Sequence, residues 1–300
     1  MDETFLAKGG DILKVNFKKE KQWWNAKATK EEQDLADEAI NRALRWREIE
    51  RHLEGIKTIL DIGAGIGVYS IPLAQRRFSV THIDFSPSML KIASQKSKSL
   101  NLKNIHFVEG NAVDLSQFPD HSFDLVLNMD GAISFCGSEA EQAIFESCRV
   151  TKKKLIITVS NKILMFPVWL ASSLEAVKHF TPADYEMLER GEWHQEQFPE
   201  NAMMTKGLTQ NYFGAFKAFL PDELEKILKQ AGMRILRIGG LGSLANLCGK
   251  ETVEQVLRNK VLFEEFLDLC ERFDKEILRD GPGTRQRAGL IAIAEPAEKS

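Results

Sequence analysis

One run of eight residues constrains this chain most: Leu60-Asp61-Ile62-Gly63-Ala64-Gly65-Ile66-Gly67. An apolar strand that passes straight into a glycine-rich turn and then a helix brings bare backbone and free N–H groups to one place. Such a turn cradles a nucleotide-like ligand. Asp61 stands two residues before the first glycine, and the pattern reads Gly-x-Gly-x-Gly. A dinucleotide fingerprint, Gly-x-Gly-x-x-Gly, needs glycine at position 68, where Val68 stands. Asp84 follows Gly65 by 19 residues, at the end of the next apolar run. A carboxylate there accepts bonds from both hydroxyls of a ribose, and it is equally placed to cap the helix after it. The glycine turn upstream favours the ribose role.

The cradle sits in a rhythm of alternating elements. Strands are predicted over 58–62, 78–84, 105–108, 123–128 and 155–159, then over 233–238 and 288–294. Helices fall between them. Ser86-Pro87 marks one helix start, with an N-cap oxygen followed by proline at the first helical position. Ser138 with Glu141 forms a capping-box pattern for another, and Thr29 with Glu32 does so for one long amphipathic helix running to Leu53. Strands alternating with helices imply a doubly wound α/β fold, a largely parallel sheet of seven strands whose last two pair antiparallel at one edge. The expected organisation is an N-terminal helical segment (1–55), a cofactor-binding core (56–161), an inserted cover (162–219) and a closing part of the core (220–300) with a helical stretch at 250–280.

Four segments, in order and spacing, resemble the class I S-adenosylmethionine-dependent methyltransferases. They are Ile59 to Gly67, His82-Ile83-Asp84-Phe85-Ser86-Pro87-Ser88-Met89-Leu90, Phe107-Val108-Glu109-Gly110-Asn111-Ala112 and Phe123-Asp124-Leu125-Val126-Leu127. Together they cover about residues 56–160, and the stretch from Phe219 to Ile238 looks like the family's last helix and strand. The resemblance implies S-adenosylmethionine as cofactor and S-adenosylhomocysteine as product. It implies that Gly63, Ala64, Gly65 and Gly67 pass beneath the methionine part of the cofactor and that Asp61 orders the turn. It implies further that Asp84 holds the ribose, that Phe85 or Met89 lies against adenine, and that Asn111 and the Ala112 N–H meet the adenine edge. Asn128 would offer its carbonyl to the cofactor's ammonium, with Met129, Asp130 and Gly131 facing the methyl. Amino-methylating DNA enzymes of this kind carry an Asn/Asp-Pro-Pro-aromatic segment at that point. Here it reads Asn128-Met129-Asp130-Gly131, without proline.

The acceptor side is expected in the 162–219 segment, which is far longer than a usual connection and rich in aromatic and methionine side chains. Trp193, His194 and Tyr212 are the candidates to face the methyl there, with His194 or His179 as a general base for a hydroxyl acceptor. Their surroundings suit a small apolar or aromatic molecule accepting on nitrogen or oxygen. Trp23 and Trp24 fit two roles, closing over the cofactor or packing under the long helix.

Composition narrows the classes. Forty basic against forty-three acidic residues give a net charge of -3, no field for a nucleic-acid coat or an anionic membrane. The longest apolar run, 163–171, contains Pro167 and is too short to span a bilayer. The acidic opening Met1-Asp2-Glu3-Thr4 and four cysteines at metal-incompatible spacings (Cys136, Cys148, Cys248, Cys270) read as a cytoplasmic protein with reduced thiols and no metal site. Monomer and homodimer are both compatible. Two rival readings remain: a cofactor-binding module without turnover, and a nicotinamide-dependent dehydrogenase, against which Val68 and Asp61 count.

Overall fold

The computed structural model describes residues 14–31, 38–129, 131–194, 214–279 and 289–297. The first half contains α1 (Phe17–Lys27), α2 (Ala39–Arg51), β1 (Thr58–Ile62), α3 (Ser70–Gln75), β2 (Ser79–Asp84), α4 (Pro87–Ser99), β3 (Ile105–Glu109) and β4 (Phe123–Asn128). A 3₁₀ turn at Ser134–Glu139 leads into α5 (Ala140–Val150) and β5 (Thr151–Asn161). Then come α6 (Lys162–Val177), α7 (Pro182–Arg190), β6 (Glu192–His194), β7 (Ala215–Phe219), α8 (Pro221–Gln230) and β8 (Met233–Leu241). The chain ends with α9 (Ser243–Leu247), α10 (Lys250–Leu257), α11 (Lys260–Arg272) and β9 (Gly289–Pro296).

Five strands lie parallel in the order β3-β2-β1-β4-β5. β9 runs antiparallel to β5 and β8 antiparallel to β9. These are the seven strands the sequence predicts. Side chains on successive residues leave a strand on opposite faces, and here the two faces feed two cores. Leu60, Ile62, Val126, Leu155 and Ile157 pack with Ile144 of α5 and Leu224 and Leu228 of α8. Ile59, Leu125, Leu127 and Ile156 pack with Leu44 and Ile49 of α2, Leu73 of α3, and Phe266 and Leu267 of α11. β4 is buried at every position, as a central strand covered on both sides must be.

Nine strands, not seven, are present among the described residues. β5 runs past Val159, where its pairing with β9 ends, and its last residues Ser160 and Asn161 pair with Ala218 and Phe219 of β7. β6 adds antiparallel to β7. Pieces this short carry no readable period, so composition alone marks them as irregular.

The N-terminal region also departs from expectation. Thr29 lies in the turn after α1, residues 32–37 fall outside the described set, and α2 begins at Ala39. α1 itself was unforeseen; Asn16 caps it by accepting the Lys19 N–H at 3.2 Å. α5 starts at Ala140, behind Glu139, because Gly137 (φ +50°) turns the chain just before it.

Candidate active site

A cavity opens at the C-terminal ends of β1, β2 and β4. In sheets of this kind ligands bind where strand order reverses, here between β1 and β4. The glycine turn forms its floor. Gly63 (φ +64°) and Gly65 (φ +53°) adopt the left-handed conformation. A Cβ on Gly63 would overlap Ala132, which follows β4, so the two loops close on each other only with glycine there. A Cβ on Gly65 would meet nothing within 4 Å and would enter the cavity. Gly67 differs from expectation: it does not line the cavity, and its missing side chain makes room for Ile71 and Ala93 behind the turn.

Asp84 ties the floor to the next strand. Its Oδ2 accepts the Gly65 N–H at 2.8 Å and its Oδ1 accepts the Ser86 N–H at 2.8 Å. Burial pushes the carboxyl up to about 6, against the pull of these amides and that of Phe85. Below the turn, the Ser70 hydroxyl donates to Asp61 and lies 2.9 Å from Nδ1 of His82. Burial holds the His82 imidazole down to about 4, so it is neutral. Phe85, Met89, Gly110, Asn111 and Ala112 wall the same end.

A further part of the wall comes from the N-terminus. Asn25 of α1 accepts the Ser86 hydroxyl at 2.7 Å and the Ser88 N–H at 3.1 Å, docking α1 onto the start of α4. Phe17, Glu20 and Trp24, at helical spacing on one face of α1, then face Met129, Ala132, Phe135 and Cys136 of the loop after β4. Trp24 meets Phe135 edge to face at 4.9 Å. Trp23 packs edge-on to Trp24 and does not line the cavity. Burial pushes the Cys136 thiol up to about 12.

Residues 59–154 match a methyltransferase-domain family. The demethylmenaquinone methyltransferase of Geobacillus kaustophilus is 37% identical over 94 residues, 29% of this chain and 40% of that protein. Its counterpart in Listeria welshimeri is 36% identical over 89 residues, 28% of this chain and 37% of that protein. A solved S-adenosylmethionine-dependent methyltransferase from Methanosarcina mazei superposes with a TM-score of 0.51 at 20% identity, covering 84% of this chain and 97% of its own. One from Mesorhizobium loti gives 0.51 at 16% identity, covering 84% and 97%. Residues 59–154 are thus similar to methyltransferase domains, and the fold is that of the solved S-adenosylmethionine-dependent methyltransferases. The chain spans about two fifths of the length of the curated relatives it matches.

Of the expected acceptor residues, the two that are described do not line the cavity. Trp193 and His194 lie in β6, buried and away from the cavity. Trp193 stacks on Trp169 with centroids 4.4 Å apart, in a small core with Met187 and Phe216. Phe216 meets Phe135 edge to face at 5.3 Å, so this core backs the cavity wall through Phe135 while Trp193 and His194 do not line the cavity. Tyr212 and Asp130 lie outside the described residues. The Asn128 side chain also faces away, donating to the Ser147 hydroxyl of α5 at 3.3 Å; the cavity wall resumes at Met129. Sequence reasoning missed Phe17, Glu20, Glu31, Ala132, Phe135 and Cys136. The spacing Phe17, Glu20, Trp24 behind an Asn16 cap is the signal that marks the first two.

Proposed function

We propose that this protein binds S-adenosylmethionine in the cavity and transfers its methyl group to a small apolar or aromatic acceptor that enters against Trp24 and Phe135. The observation that carries the reading is the bond between Gly65 and Asp84: a turn open on its cavity side, held by a buried carboxylate that keeps lone pairs for ribose hydroxyls. Gly63, Ala64 and Gly65 would pass beneath the methionine portion, with Asp61 bracing the turn through Ser70. Phe85 and Met89 offer apolar surface to adenine, and Asn111 and Ala112 a polar edge.

When bound, S-adenosylmethionine supplies an electrophilic methyl on a sulfonium. The chain's own task is then to align an acceptor and exclude water. Phe17, Trp24, Met129 and Phe135 give the acceptor end an apolar wall. The relatives are named for a quinone acceptor, and this wall has the chemistry for a flat apolar ring. Calorimetric titration with S-adenosylmethionine, S-adenosylhomocysteine and NAD tests the reading. Binding of the first two and none of NAD is expected; binding of NAD alone overturns it.

A further inference from the structure

Glu20 is the unusual group of the acceptor wall. It is 3% exposed, in the first turn of α1, and it lines the cavity. One carboxyl oxygen accepts the backbone N–H of Ala215 at the start of β7. The other, Oε2, is buried and has no hydrogen-bond partner. Among the described residues no lysine, arginine or histidine pairs with it. Burying an unpaired carboxylate oxygen is costly, and proteins rarely retain one without a use. Beside it the Cys136 thiol is neutral, and Phe17 and Phe135 give the same cavity apolar surface.

The position is specific. α1 is fastened by Asn25 to α4, and Ala215 holds Glu20 from the other side. Glu20 therefore stands beside Cys136 of the loop after β4, in the same cavity as Asp84 and Asn111. Burial also pushes the carboxyl up to about 7, which suits a group that takes up and returns a proton near neutral pH.

We infer that Glu20 is a catalytic residue of the acceptor side: its Oε2 accepts the hydrogen bond, and then the proton, of an aromatic hydroxyl on the methyl acceptor. The inference rests on the methyltransferase reading above. In the step, the acceptor's O–H bond breaks and its proton passes to Glu20. The bond from acceptor oxygen to methyl forms as the methyl–sulfur bond breaks, its electron pair remaining on sulfur. The neutral carboxyl then returns its proton to water.

The test compares 2-naphthol with 2-methoxynaphthalene, a donor and a non-donor of like shape, by calorimetric titration at pH 8 into protein saturated with S-adenosylhomocysteine. The wild-type protein is expected to bind the naphthol at least about tenfold more tightly, as a hydrogen bond to a charged group implies. Glu20→Ala and Glu20→Gln are expected to bind S-adenosylhomocysteine within about twofold of wild type while the preference falls to about twofold or less. S-adenosylhomocysteine binding also reports that each variant is folded, and Glu20→Gln keeps the shape should Glu20→Ala fail. Failure of the wild-type protein to bind S-adenosylhomocysteine overturns the methyltransferase reading and this inference with it. Normal S-adenosylhomocysteine binding with no naphthol preference, no binding of either probe, or an undiminished preference in the variants overturns the role of Glu20 alone.

Discussion

Replacing Glu20 by glutamine should make stability less dependent on pH, by an amount the structure sets. In the folded chain burial raises this carboxyl from its ordinary 4.5 to about 7. In the unfolded chain it ionises near 4.5. Between these values the unfolded state has lost the proton and the folded state keeps it. The wild-type protein therefore loses stability as pH rises through this window, by about 1.4 kcal/mol per pH unit and ~3 kcal/mol in total. Below pH 4.5 the Glu20 contribution is fully present; above pH 7 it is gone. Glutamine keeps the oxygen that accepts the Ala215 N–H and has no charge to bury. Its own unmatched amide adds an offset that does not vary with pH. Among the other groups lining the cavity, Glu31, Asp61, Asp84 and Cys136 are common to both proteins and cancel in the difference. Urea unfolding of both proteins at pH 4.5, 6, 7 and 8.5 reads it. Relative to wild type, the variant should gain ~3 kcal/mol between pH 4.5 and 8.5, nearly all of it by pH 7. A difference that stays flat across that range refutes a buried, protonated Glu20.

Further outcomes follow from the cradle and the insertion. Asp84→Ala removes the acceptor of the Gly65 and Ser86 amides and the proposed ribose ligand, so S-adenosylhomocysteine affinity should drop by about 2 kcal/mol or more, at about 1.5–3 kcal/mol gross per charged bond; an unchanged dissociation constant in calorimetry would reduce Asp84 to a cap. Gly65→Val forces a β-branched residue into φ +53° and fills the cavity floor; the protein should remain folded at a cost of about 1–2 kcal/mol and bind no S-adenosylhomocysteine, and normal affinity would put the ligand elsewhere. Trp193→Ala should lower stability in thermal unfolding by about 3–5 kcal/mol by breaking the stack on Trp169, while leaving S-adenosylhomocysteine affinity within about twofold; a folded variant that has lost affinity would contradict its place outside the cavity.

Seven of the nine strands among the described residues, the largely parallel sheet and the residues lining one half of the cavity were legible from residues near one another in the chain. Gly65 and Asp84 meet because one lies in the turn after β1 and the other ends the adjacent β2, and each strand shows its own buried run. Ser86 and Pro87 start α4 through bonds within one turn, so their meaning does not depend on distant contacts. The other half of the cavity joins Glu20 and Trp24 to Phe135 and Cys136, more than a hundred positions away. Only docking of α1 through Asn25 onto Ser86 and Ser88 brings them together. Hydrophobic spacing says that a face will be buried, not against what. For the same reason Trp193 reads as an acceptor residue in sequence and packs instead with Trp169 and Phe216 behind Phe135. Local pattern determined the cofactor cradle. Tertiary packing decided which side chains stand across from it, because burial of an apolar or acidic side chain is settled by whichever surface meets it in space.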